Sequence, residues 1–112
     1  MKKIILTVQS TGKNKFRLGI NLSDSRAYFK TRKTIVILKL SNDLTIESRT
    51  ACGPPSRQGY DLNHNDLDKW IKDNDFISKV YGKPIKLEFS FEKINDVIVL
   101  TFLKKIAQKN LT

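Results

Sequence analysis

IKLEFSFEKINDVIVLTFL, residues 85–103, decides the fold class. Ile85, Leu87, Phe89 and Phe91 alternate with Lys86, Glu88, Ser90 and Glu92, the two-residue period of a strand with one face buried and one in water. After a turn around Ile94, Asn95 and Asp96, the β-branched run from Val97 to Leu103 returns, so the stretch predicts an antiparallel hairpin. The same reading extends outward along the chain. Residues 4–8 (IILTV) and 34–40 (TIVILKL) are short, nearly continuous apolar strands. Phe16, Leu18 and Ile20 alternate with Arg17 and Gly19, and Leu44, Ile46 and Ser48 alternate with Thr45, Glu47 and Arg49.

Two helices are expected between the strand pairs. The first starts after Ser23 as N-cap and covers about residues 24–29; Thr31 and Thr34, around Arg32 and Lys33, then lead into the next strand. The second has Asn63 at its N-cap, Asp66 in the first turn, and Leu62 placed to staple against Leu67 across the cap. Leu67, Trp70 and Ile71 follow at i, i+3, i+4, an apolar stripe that puts Trp70 in the core rather than on a stacking surface. The resulting order is ββαββαββ: a mainly β chain with two helices (α+β). Its 112 residues, 39% hydrophobic, suffice for one core, and we expect one domain, residues 1–112.

Charge narrows the function. Lys and Arg number 21 against 11 Asp and Glu, a formal charge of +10 that favours a polyanionic partner over a neutral small molecule. The acid is concentrated: residues 60–76 hold five aspartates against two lysines, a local charge of −3, which leaves +13 on the rest. Two segments carry no acid at all, residues 9–17 (QSTGKNKFR) and 48–58 (SRTACGPPSRQ), and each lies between strand-like runs. Arginines there make forked hydrogen bonds, and Gln9, Asn14 and Gln58 donate and accept at once, which suits phosphates and base edges. The plainer reading of the same composition is a solvated surface in a lysine-rich proteome.

Other classes find less support. No apolar run is long enough to span a membrane, and polar residues from Gln9 onward interrupt a signal-like start, so we expect a cytoplasmic protein. Cys52, the single cysteine, fits a reducing compartment and reads as a small loop residue without chemistry; His64 reads as a surface residue. No ligand pair at metal spacing, phosphate-binding loop or nucleophile elbow is present, so neither a cofactor nor catalysis is expected. Glu88, Glu92, Lys93 and Asp96 share one hairpin, but the two glutamates alternate with core residues as a solvent face does.

The order of elements resembles the DNA-binding pseudobarrel, the fold of the plant "B-three" transcription-factor domain and of the recognition domains of bacterial restriction endonucleases of the EcoRII and BfiI kind. The resemblance rests on Ser10-Thr11-Gly12-Lys13 followed by Arg17-Leu18, KTIVI at 33–37, SNDLTI at 41–46, YDL at 60–62, KWIKDND at 69–75 and GKPIKLEF at 82–89. Gly59-Tyr60-Asp61-Leu62 followed by Leu67 to Lys72 is similar to the family's YxLxxxWxxFxK segment. The tryptophan falls later than in plant members, and Gly19-Ile20-Asn21 replaces the usual apolar-Pro pair, which favours a bacterial member.

The resemblance implies an open pseudobarrel of six to seven strands that grips double-stranded DNA in the major groove with two loop arms, residues 9–17 and 49–60. On that basis Arg17, Arg49, Arg57, Asn14 and Gln58 are expected near bases, and Lys13, Lys15, Ser10, Thr11 and Ser56 on phosphates. Gln9, Thr50 and Tyr60 complete the expected interface. It also implies a nuclease domain elsewhere on a longer polypeptide or on a partner subunit. Two other classes fit the charge: a single-strand or RNA-binding barrel stacking bases on Phe16, Tyr28 or Tyr60, and a small basic toxin or inhibitor of an acidic protein.

Overall fold

Strand β1 (Lys2–Gly12) pairs antiparallel with β2 (Lys15–Ile20), and the chain then enters helix α1 (Leu22–Tyr28). The computed structural model describes residues 2–12, 15–29, 33–52, 59–78 and 83–106. Strands β3 (Ile35–Ser41) and β4 (Leu44–Arg49) form a second hairpin, followed by the short β5 (Ala51–Cys52) and β6 (Tyr60–Leu62). Helix α2 (Asn65–Asp73) precedes the closing hairpin of β7 (Lys86–Ile94) and β8 (Val97–Lys105). The expected 85–103 hairpin is present, and Asn95 takes the left-handed conformation its two-residue turn requires (φ 56°).

All eight strands belong to one sheet in the order β4-β3-β8-β7-β1-β2-β6-β5. The two edge strands of this order, β4 and β5, are consecutive in the chain and separated only by Thr50. The sheet must therefore curl until its edges meet, and β4 and β5 act as one strand bent at Thr50. The result is a nearly closed barrel-like sheet of effectively seven strands. Thr50 is 1% exposed and ties the bend to β3: its Oγ1 accepts the Thr34 N–H (2.9 Å) and its own N–H donates to the Thr34 carbonyl (3.1 Å). Across the seam, Ser48 Oγ donates to the Asn63 carbonyl (2.8 Å).

Alternation fills the interior. Leu6, Leu18, Leu38, Leu62, Leu87, Phe89 and Leu100 are fully buried, each contributing roughly 1.5–3 kcal/mol relative to exposure. The helices plug the two ends. At one, Leu67, Trp70 and Ile71 of α2 enter the core, and the Trp70 ring meets Phe102 edge-on at 5.0 Å, so Trp70 is a core residue as its spacing predicts. At the other, Phe29 just after α1 is 1% exposed and meets Phe91 edge-on at 6.1 Å. Among the described residues no helix is long and apolar enough to cross a membrane.

Both helix starts differ from expectation. Asn21, not Ser23, caps α1: its Oδ1 accepts the Asp24 N–H at 2.8 Å, so Ser23 lies inside the first turn. His64, not Asn63, caps α2, with Nδ1 accepting the Asp66 N–H at 3.0 Å. That one-residue shift takes Leu62 and Leu67 off staple positions; both are buried as core side chains instead. His64 is thus a capping group rather than an idle surface residue.

Candidate nucleic-acid interface

The first acid-free segment is less of a loop than its composition suggests. Residues 9–12 belong to β1 and 15–17 to β2, joined by the pairs Gln9↔Arg17, Ser10↔Phe16 and Gly12↔Lys15. Paired strands therefore continue through residues 9–12 and 15–17. Since Leu6, Val8, Leu18, Ile20, Tyr60 and Leu62 point inward, Thr7, Gln9, Arg17, Gly19 and Asp61 make the outer surface of β1, β2 and β6.

A polar row crosses that surface. Arg17 Nε donates to Gln9 Oε1 at 3.0 Å, and its Nη1 lies 2.9 Å from Asp61 Oδ2. Asn63 Nδ2 donates to Asp61 Oδ1 at 3.2 Å. Asp61 is 4% exposed, so its charge is held under the arginine rather than offered to solvent. Gly19 makes room for the row: a Cβ there would lie 2.5 Å from Gln9 Nε2, so only a residue without a side chain lets the glutamine amide lie across β2. The row borders a cleft of about 440 Å³ reached also by Ser10 and Asn21.

Gln9, Ser10 and Arg17 of the first acid-free segment line this cleft, together with Gly59 and Tyr60 from the stretch that follows the second. The described part of the first hairpin ends at the Gly12↔Lys15 pair, and β5 and β6 pair at Cys52↔Tyr60. There Gly59 packs against β2 so closely that a Cβ would fall 1.8 Å from the Ile20 carbonyl oxygen. The two points are separated along β2 by about 17 Å at the rise of a strand.

The expected interface residues divide accordingly. Gln9, Ser10 and Lys15 are exposed, and Arg17 is half-buried in the row. Thr11 is part of β1, and Arg49 is exposed at the end of β4, away from the cleft. Lys13, Asn14, Ser56, Arg57 and Gln58 lie outside the described residues. Thr50 faces inward at the barrel seam, and Tyr60, 4% exposed, borders the cleft with its ring in the core. The Tyr60 N–H donates to Ser25 Oγ at 2.9 Å, which ties β6 to α1.

Sequence reading missed Gly19, Asn21, Asp61 and Asn63. Asp61 was countable only as part of an acidic stretch, though its place between inward Tyr60 and Leu62 marks it as outward-facing. Comparison of the chain with protein-family models, with curated proteins and with solved structures gave no match.

Proposed function

We propose that the chain is a sequence-specific double-stranded DNA-binding domain that seats the edge of a duplex on the outer wall of β1, β2 and β6, with the 9–17 hairpin and the segment between β5 and β6 as its two arms in the major groove. The observation that carries this reading is the Arg17 row, in which Gln9 and Asp61 hold one guanidinium on the outer wall beside the cleft. A guanidinium has five N–H donors, of which Gln9 and Asp61 engage two. The donors left on Nη1 and Nη2 are the kind that pair with the O6 and N7 acceptors of guanine. Holding the arginine before binding lowers the ordering cost that a free side chain would incur. Asp61 lends orientation without presenting an uncompensated carboxylate to phosphates.

The stacking alternative has less to work with. Tyr60 lies in the core, Phe16 packs against the core, and Tyr28 lies 5.2 Å from Phe91 with Lys2 Nζ 3.6 Å from its ring centroid. Nucleic-acid recognition as a module of a restriction endonuclease is the biological setting the resemblance suggests, with catalysis supplied by another domain or subunit.

The test is a competition assay on the whole chain with a randomised duplex library, followed by the selected duplex against its single strands and a scrambled duplex. Selection of one short duplex over all three competitors is expected. Equal competition by single strands would favour the stacking class, and absence of duplex binding at low salt would end the DNA reading.

A further inference from the structure

Around the C-terminal end of α1, Lys33, Arg49 and Lys93 converge on a pocket of about 380 Å³. They come from three separate parts of the fold: the turn before β3, the last residue of β4, and β7 just before its hairpin turn. Ile35 and Tyr28 also line it, and among the described residues Asp96 is its one carboxylate. Among the described residues the ion pairs of lysine and arginine are Lys3–Glu88, Arg17–Asp61 and Lys69–Asp73, none of which involves these three cations. Three cationic residues and one acidic residue on one concavity give it a net positive charge that favours an anion.

The backbone fixes where Lys33 stands. Lys33 sits in the left-handed region (φ 65°), which is strained for a residue with a Cβ. It is held there by its N–H, which donates to the Thr50 carbonyl at 2.8 Å, beside the Thr34–Thr50 pair. Thr50 thus anchors Lys33 on one side and its chain neighbour Arg49 on the other. Strain at a residue other than glycine persists where surroundings over-determine it, and it concentrates at ligand sites.

We propose that this pocket is a phosphate site, in which Arg49 offers forked hydrogen bonds and Lys33 and Lys93 supply charge to a phosphoryl group. The phosphate has two sources of the same chemistry: the backbone of a duplex flanking the cleft, or the phosphate of a free nucleotide. The seven residues of α1, about 10 Å of helix, separate the cleft at Asn21 from the pocket at Tyr28. The duplex source rests on the DNA-binding reading; the phosphate site does not.

Backbone-amide NMR of the whole chain, titrated with inorganic phosphate against chloride at constant ionic strength, tests the site without DNA. Saturable shifts at Lys33, Thr34, Arg49 and Ile98 are expected with phosphate and not with chloride. The double variant Lys33→Asn with Lys93→Gln should lose them, asparagine being chosen because it tolerates the left-handed backbone. Non-saturating shifts, equal shifts with chloride, or shifts undiminished in the double variant overturn the proposal. A second arm identifies the source. A several-fold affinity loss of the double variant on a long duplex but not on one confined to the cleft assigns the site to flanking backbone. Unchanged duplex affinity with the phosphate shifts intact in the wild type assigns it to a free phosphate. Failure of all duplex binding would sink the DNA reading and leave the phosphate titration as it stands.

Discussion

Arg17 Nη1 stands 2.9 Å from Asp61 Oδ2, with the aspartate side chain 6% exposed and the arginine 31%. The pair is therefore asymmetric. Arg17→Ala strands a buried carboxylate with only the Asn63 amide and should cost about 3 kcal/mol in urea unfolding. Asp61→Asn leaves an arginine that can turn to solvent, and should cost under about 1 kcal/mol. Equal losses in the two variants would show that the carboxylate is not held by the arginine.

Gly19 and Gly59 border one cleft but should respond oppositely to alanine. The Cβ of Gly19→Ala meets the end of the Gln9 side chain, which can swing aside; stability should change by less than about 1 kcal/mol while duplex discrimination falls. The Cβ of Gly59→Ala meets the Ile20 carbonyl, which cannot move without opening β2, so a loss of several kcal/mol or failure to fold is expected. Thermal unfolding of both, with duplex binding of Gly19→Ala, decides the matter; a stable Gly59→Ala chain would contradict the packing.

Thr50 belongs to the barrel's closure rather than to its recognition surface. Thr50→Val keeps the shape but removes the acceptor of the Thr34 N–H, so stability should fall by about 1–3 kcal/mol with the preferred duplex sequence unchanged. A changed preference at retained stability would return Thr50 to the interface.

How far the sequence could be read follows from what each signal depends on. Period-two alternation survived because it reports burial directly, as Leu87 and Phe89 in the core demonstrate. The two-residue and three-residue strands β5 and β6 escaped because such lengths carry no period; only closure of the sheet through Thr50 makes them strands. Polar composition at residues 9–12 read as loop, yet cross-strand pairing extends β1 through them, since an outer wall also accepts polar side chains. The Arg17–Asp61 pair joins residues far apart in sequence and becomes visible only once β2 and β6 are neighbours.

The imidazole cap of α2 gives a local test. His64→Ala leaves the Asp66 N–H without its side-chain acceptor and should cost about 0.5–2 kcal/mol, while His64→Asn, a stronger cap, should recover or exceed the wild type. Chemical denaturation of the three proteins is sufficient. If asparagine fails to rescue, the ring's contribution lies in packing and not in the hydrogen bond.

Electrostatics and readout separate in the last test. If Lys13, Lys15 and their neighbours engage phosphates, log affinity should fall linearly with log salt at roughly −0.9 per neutralised phosphate. Lys13→Ala should then weaken selected and random duplexes alike and reduce the slope by about one unit. Arg17→Lys is the informative partner, because it keeps a cation near Asp61, and with it most of the fold's stability, while losing the planar fork. It should lose about 1–3 kcal/mol on the selected duplex and far less on a random one, with the salt slope unchanged. A slope that moves with Arg17→Lys as it does with Lys13→Ala would make Arg17 one more phosphate contact. Base reading would then have to lie elsewhere in the two arms.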